Sequence, residues 1–233
     1  MLRPLLILAG IVLIAPAFAQ SYDGDPWMTR CGFWERSRAK TRKYLRSGFD
    51  SLQFVPGERI ADIGAKGATM AGMLSMFYDH IDLTLEDIDS SCLNDRQVAY
   101  SVEHYRKVNG GTTAANNSFH VVIGNETGTT LPDTAFRKVF FVNTYHEVTR
   151  QAEMLRDLYR ILAPGGTLYA QERVTEHKAI RRKDCGHTMP IESELLAAFE
   201  AAGFRLLKTN ITERYRQKGD RVKMAWYQFG KKG

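Results

Sequence analysis

The strongest constraint on this chain is the alternation of two apolar rhythms between residues 59 and 170. Short apolar runs of strand length recur: Arg59–Ile63, Ile81–Leu85, Phe119–Ile123, Lys138–Val142 and Thr167–Ala170. Longer stretches with helical periodicity stand between them, at residues 68–79, 91–107 and 149–162. In the last of these, Met154, Leu155, Leu158 and Leu162 fall on one face. Turn signals separate the runs, notably Asn109-Gly110-Gly111 and Pro164-Gly165-Gly166. Strands that alternate with helices fold as a parallel sheet covered on both faces. A further helix is expected over 192–202, stopped by Gly203. Two alternating runs, Phe204–Thr212 and Arg221–Phe229, flank Gln217-Lys218-Gly219-Asp220 and predict a terminal antiparallel hairpin. The expected class is α/β: a Rossmann-like, doubly wound, mostly parallel sheet.

Two segments precede this pattern. Residues 1–19 combine a basic start at Arg3, an apolar run from Leu5 to Ile14 and an Ala17-Phe18-Ala19 exit. That is the layout of a secretory signal peptide cleaved after Ala19. The run is short for a membrane span, which needs about 20 apolar residues, so membrane contact is expected only if the segment is retained. Residues 20–54 form a basic extension. Within it Trp34–Phe49 reads as a helix with one apolar stripe and a cationic face built from Arg36, Arg38, Lys40, Arg42, Lys43 and Arg46. Residues 55–233 are the main domain. The leader predicts a periplasmic or secreted protein. The net charge of +6 is too mild for a nucleic-acid binder.

An oxidising destination makes the three cysteines, Cys31, Cys92 and Cys185, worth pairing. One bridge plus a free thiol and three buried thiols are both open. Cys92 reads as packed at a helix start. Cys31 and Cys185 each flank basic stretches and are candidate neighbours, or ligands for a soft metal. The histidines show no ligand spacing, and no metal is predicted.

In an open α/β sheet, ligands bind beyond the carboxyl ends of the strands, where the strand order reverses. The first strand runs into Asp62-Ile63-Gly64-Ala65-Lys66-Gly67-Ala68, a glycine-bearing turn that opens a helix. The second ends Glu86-Asp87-Ile88-Asp89, which offers carboxylates to a ribose diol. The third ends Gly124-Asn125-Glu126, where the Asn125 amide can address a base edge. The fourth ends Asn143-Thr144-Tyr145-His146-Glu147.

With these pieces in place, the chain resembles the class I S-adenosylmethionine-dependent methyltransferases over roughly residues 55–230. Three parts carry the resemblance: the Asp62-x-Gly64 turn; Leu131-Pro132, a spacer, Phe136 and a strand ending at His146-Glu147; and Arg160-Ile161-Leu162-Ala163-Pro164-Gly165-Gly166 before a strand. Ala202-Gly203-Phe204 before the hairpin is also similar. The resemblance implies a seven-stranded sheet with S-adenosyl-L-methionine across its first half. By position, Asp62, Gly64, Ala65 and Gly67 would hold the methionine and sulfonium end. Asp87, or Glu86 beside it, would hold the ribose, Asn125 the adenine and Asn143 the methionine or methyl group. Where the family has glycine, this chain has Lys66 and Ala68.

The implied activity is methyl transfer to an acceptor of unknown identity, expected to be a small molecule. The candidate catalytic residues are His146, because histidine exchanges a proton near neutral pH, and Tyr145, which could line the methyl pocket. Packing or capping roles for both remain open. Glu172 either reaches the crevice or is an exposed acid at a helix entry. The basic connector 174–189 is expected to overhang the crevice. Two other classes stand beside the enzyme: a non-catalytic methyltransferase-like binding protein, and a dinucleotide oxidoreductase. The second would want G-x-G-x-x-G, and the turn offers only Gly64-x-x-Gly67.

Overall fold

The alternating apolar runs become one seven-stranded sheet. The structure, a computed structural model, describes residues 30–34, 36–49, 54–112 and 116–232. The expected leader at 1–19 and its cleavage point lie outside the described residues. The strands are β1 (Arg59–Ile63), β2 (Asp82–Asp87), β3 (Ser118–Ile123), β4 (Phe136–Val142), β5 (Leu162–Thr175), β8 (Phe204–Gln217) and β9 (Asp220–Lys231). Across the sheet they lie in the order β3-β2-β1-β4-β5-β9-β8. Strands β1 to β5 are mutually parallel, and β9 inserts antiparallel between β5 and β8. Chain order runs outward from β1 to β3, then crosses back to place β4 on the other flank of β1. The crevice of such a fold therefore opens above β1 and β4.

Side-chain alternation explains the cover on both faces. Ile60, Leu83, Leu85 and Phe140 point into one core, with Met70, Met73 and Leu74 from α2 (Thr69–Ser75) and Tyr105 from α3 (Asp95–Val108). Ala61, Ile63, Val139 and Phe141 point into the other, with Leu155, Leu158 and Ile161 from α4 (Gln151–Ile161) and Phe199 from α5 (Glu192–Ala201). Successive strand residues face opposite sides, so each fully buried strand must be apolar throughout. The basic helix α1 (Arg38–Phe49) joins the first core through Tyr44 and Leu45. The Tyr44 ring meets Trp226 with centroids 5.5 Å apart, and its hydroxyl donates to Gln171 Oε1 at 3.1 Å. Most of its cationic side chains face outward.

Three expectations change. The Met-rich helix is shorter than 68–79, because Ala68 takes a left-handed backbone (φ 53) and every residue from Thr69 to Ser75 is buried. The strand expected at 167–170 extends over Leu162–Thr175, with Pro164-Gly165-Gly166 inside it. The pairing with β4 skips there, from Phe136 opposite Leu162 to Lys138 opposite Thr167. A Pro-Gly-Gly that reads as a stop is thus a bulge at the strand's entrance. The cysteine reading is also corrected. Cys31 bonds Cys92 across 61 residues, and Cys185 is free and exposed, so Cys31 and Cys185 are not neighbours.

Candidate active site

A cavity of about 420 Å³ opens at the carboxyl ends of β1, β2 and β4, within the size range of small-molecule and cofactor pockets. It collects Asp62, Gly64 and Ala65 from the first turn, Glu86 and Asp87 from β2, and Asn125 and Asn143 after β3 and β4. Seven of the eight residues expected at the cofactor converge on one space. Gly67 does not line it. It faces away, and a side chain there would meet the Cys31 carbonyl and Phe33.

Local geometry explains the glycine-bearing turn. Gly64 has φ 75, and a Cβ would lie 2.4 Å from the Thr144 methyl. The turn therefore needs a residue without a side chain at its tightest point. The Gly64 and Ala65 amides both donate to the Glu86 carbonyl at 2.9 Å, which ties the turn to β2. Lys66 and Ala68 also have positive φ, 33 and 53. At both positions glycine is the unstrained residue, and this chain holds larger ones in the left-handed region at a cost of about 1–2 kcal/mol each. The Lys66 side chain does not plug the cavity. It turns to an ion pair with Glu147 on the rim, while its backbone amide donates to Asp87 Oδ2 at 2.9 Å.

The electrostatics of the cavity are one-sided. Asp62, Glu86 and Asp87 are all buried, at the adjoining ends of β1 and β2. Burial, reinforced by Asp87, pushes the Asp62 carboxyl up to about 7 and the Glu86 carboxyl up to about 8. Burial also raises Asp87, against amide hydrogen bonds from Asp89 and Lys66. Glu86 Oε1 is buried without a hydrogen-bond partner. Gly124 makes its room, since a Cβ there would fall 1.8 Å from that oxygen. Asn125 is exposed, and its Oδ1 already accepts from the amide and hydroxyl of Thr127 at 2.9 and 2.6 Å. Asn143, at φ 56, gives its amide to Gln171 and takes a bond from Arg182 Nη1 on Oδ1 at 2.9 Å.

Tyr145 and His146 lie on the turn Tyr145–Glu147 after β4, but neither lines the cavity. Tyr145 packs on Phe199, with centroids 5.8 Å apart. His146 is buried behind Glu147, and its Nδ1 lies 2.9 Å from Glu172 Oε2. Glu172 is neither in the crevice nor exposed; it is 1% exposed and committed to this histidine. Glu147 is the member of the trio that faces the cavity. Sequence reasoning missed it, along with Ile88, which is 55% exposed at the cavity edge, and Gly32 and Trp34, which reach the cavity from the segment held by the Cys31–Cys92 bond. The signal for Ile88 was present: an aliphatic residue among acids directly after a strand has no core to enter. The connector 174–189 holds a small hairpin of β6 (Ile180–Arg181) and β7 (Thr188–Met189), and places Arg182 against His146 and Asn143.

A family model for a methyltransferase domain matches residues 66–170. The strand order, the switch-point cavity and the acid pair that ends β2 agree with that match. The fold is that of a class I S-adenosylmethionine-dependent methyltransferase. Among curated proteins, 24-methylenesterol C-methyltransferase 2 of Oryza sativa subsp. japonica is 25% identical over 184 residues, covering 73% of this chain and 48% of that protein. The chain thus spans about half the length of that relative. Among solved structures, the [4+2]-cyclase SpnF aligns with TM-score 0.63 at 16% identity, over 88% of this chain and 92% of that one. A putative methyltransferase of Bacillus halodurans C-125 aligns with TM-score 0.58 at 14% identity, over 82% and 98%. The Haemonchus contortus phosphoethanolamine N-methyltransferase 2, in complex with phosphomonomethylethanolamine and S-adenosylhomocysteine, aligns with TM-score 0.60 at 12% identity, over 84% and 54%.

Proposed function

We propose that this chain is an S-adenosyl-L-methionine-dependent methyltransferase acting on a small-molecule acceptor. The carrying observation is the trio Asp62, Glu86 and Asp87: three buried carboxyls, one with an orphaned oxygen, in a cavity at the switch point of a methyltransferase fold. Buried carboxyls raised in this way await a cationic or hydrogen-bond-donating guest. A sulfonium with an α-amino group and a ribose diol meets that demand.

In this reading Asp87 and Glu86 take the ribose hydroxyls, and Ile88 covers one face of the adenine. Asn125 lies at its edge, with an amide nitrogen to offer. Asp62 and the Gly64–Ala65 turn hold the methionine end, and Asn143 sits beneath the methyl-bearing portion. The bound cofactor supplies an activated methyl group, and the protein supplies alignment and a water-poor site. Glu147, on the rim and restrained by Lys66, is the group placed to meet an acceptor proton. Tyr145 and His146 act from behind it by fixing the turn.

Titration calorimetry with S-adenosylmethionine and its demethylated product tests the cofactor reading. Both are expected to bind one site at micromolar concentrations, and no heat at millimolar ligand would defeat it. The second reading, a binding protein without turnover, draws on Lys66 and Ala68 holding strained backbone where glycine would be relaxed, and on a fold that carries more than one chemistry. Binding of the cofactor without conversion across an acceptor panel would select it.

The export reading belongs with this proposal. Residues 1–19 would be the leader of a periplasmic or secreted protein, and the Cys31–Cys92 bond supports it, since such bonds persist in oxidising compartments. Mass spectrometry of exported material should find Gln20 at the N-terminus.

A further inference from the structure

We propose that Cys185, His146 and Glu172 form a thiol nucleophile site, separate from the cofactor cavity, that exchanges with small anionic disulfides. The inference does not rest on methyl transfer.

His146 is fully buried at its side chain, and Glu172 is 1% exposed. Glu172 Oε2 lies 2.9 Å from His146 Nδ1. Arg182 Nη1 lies 2.8 Å from Nε2 and 3.4 Å from Nδ1, which places it over the ring and not on one nitrogen's lone pair. The Glu172 carboxylate accepts, so the proton sits on Nδ1 and Nε2 carries the lone pair. The Cys185 sulfur stands 3.6 Å from that same Nε2. A thiol, an imidazole with its lone pair toward the thiol, and a buried carboxylate on the far nitrogen are the parts of an activated nucleophile. The thiol is exposed, so a reagent can reach it.

The turn that carries Cys185 is held in place. Ile180 pairs with Met189, Arg181 pairs with Thr188, and the Arg182 amide donates to the His187 carbonyl at 2.7 Å. Asp184 accepts from Arg182 Nε and Nη2 at 3.0 and 2.7 Å, and from the Cys185 amide at 3.1 Å.

His146, Glu147 and Cys185 also offer three ligand atoms within 4.8 Å of one another. A cation would have to enter beside the Arg182 guanidinium on His146 and the Lys66 ammonium on Glu147. Those charges oppose a metal ion. Outside the pocket, Arg173, Arg181 and Lys183 surround the turn, so the favoured electrophile is anionic.

The exchange balances without an added oxidant. The Cys185 proton passes to His146 Nε2 as sulfur attacks one sulfur of the disulfide. A new S–S bond forms to Cys185, the old S–S bond breaks, and the departing thiolate takes the proton back from the imidazolium. One disulfide is consumed, and one mixed disulfide and one thiol are made.

The test uses the intact protein with its Cys31–Cys92 bond. Glutathione disulfide, which is anionic, and cystamine, which is cationic, serve as probes, with N-acetylcysteine amide as the reference thiol for each. Intact mass and peptide mapping follow the adduct. Cys185 is expected to react with glutathione disulfide at least about tenfold faster than the reference. The advantage should be smaller with cystamine, and the difference between the probes should shrink in salt. His146→Gln should remove the advantage. If that variant does not fold, the comparison with the reference thiol still decides. A native rate equal to or below the reference overturns the proposal. So does protection of Cys185 by equimolar zinc, which would reassign the cluster to a metal.

Discussion

Two buried polar clusters lie on adjoining parts of the sheet's carboxyl rim, and they solve the problem of buried charge in opposite ways. The first, Asp62, Glu86 and Asp87 at the ends of β1 and β2, is all acid. Lys66 reaches Asp87 with its backbone amide but sends its ammonium group to Glu147. The second, around His146 at the ends of β4 and β5, pairs its charges within itself: Glu172 on Nδ1, Arg182 over the ring, and Asp184 and Asn143 on Arg182, with Nε2 turned to the Cys185 sulfur. A buried charge is expensive unless it is paired. The paired cluster meets that cost within the free protein. The open cluster leaves it standing, and its carboxyls shift upward instead. An internally satisfied network shapes the site, whereas an unsatisfied one is where a ligand has something to contribute.

The comparison can be broken most forcefully at Glu172. Replacing Glu172 by Ala leaves His146 Nδ1–H and part of the charge of Arg182 without a partner in a dry interior. Stability to urea should fall by about 3 kcal/mol or more. A loss below about 1 kcal/mol would mean that the second cluster does not pair its charges within itself.

Asp62→Asn sharpens the other half. The amide keeps the shape and removes a carboxyl that burial disfavours. The free protein should gain stability at pH 8, while affinity for S-adenosylmethionine should fall by about 100-fold, roughly 2.7 kcal/mol. Opposite signs in the two measurements are the signature of an acid held for a ligand. If the variant loses stability at pH 8, Asp62 is already paired and the contrast fails. If affinity is unchanged, the cavity is not the cofactor site.

How much of this was legible in the sequence follows the range of the interactions. Strands β1 to β4 and helices α3 and α4 were legible because their apolar periods are local, and the acid-then-glycine turn marked the rim by its position after β1. Seven expected residues met in the cavity for that reason. The pairing of Cys31 with Cys92 was not legible, because it depends on the N-terminal segment crossing over the loop after β2, 61 residues away. Glu172 could not be distinguished from a surface acid, because its burial comes from β9 on one side and the β6–β7 hairpin on the other. Gly124 carried no local turn signal. It is small because Glu86, on the neighbouring strand, needs the space. Lys66 and Ala68 looked like lost glycines, and the backbone shows that the left-handed conformation persisted without them.

The smallest effect is the most discriminating, because it contrasts two ligands at one site. The folded-state values of Asp62 and Glu86, about 7 and about 8, lie above their ordinary values of 3.8 and 4.5. Between those limits the folded chain holds more protons than the unfolded chain, so the free protein should lose stability as pH rises from about 4 through 8. The same ionisation strengthens the cavity for a cation. S-adenosylmethionine carries one positive charge more than its demethylated product. Raising pH from about 6 to about 8.5 should therefore improve the affinity of the former relative to the latter by several-fold, up to about tenfold. Saturation with the cationic cofactor should flatten the decline in thermal midpoint over that range. Paired calorimetric titrations of both ligands at each pH give the ratio directly. Because the sulfonium lowers the pKa of the neighbouring amino group, the ratio is corrected for the amine titration of each free ligand. A ratio that does not change with pH would mean that the carboxyls do not face the sulfonium, and would return Asp62 and Glu86 to the ribose and amino contacts that both ligands share.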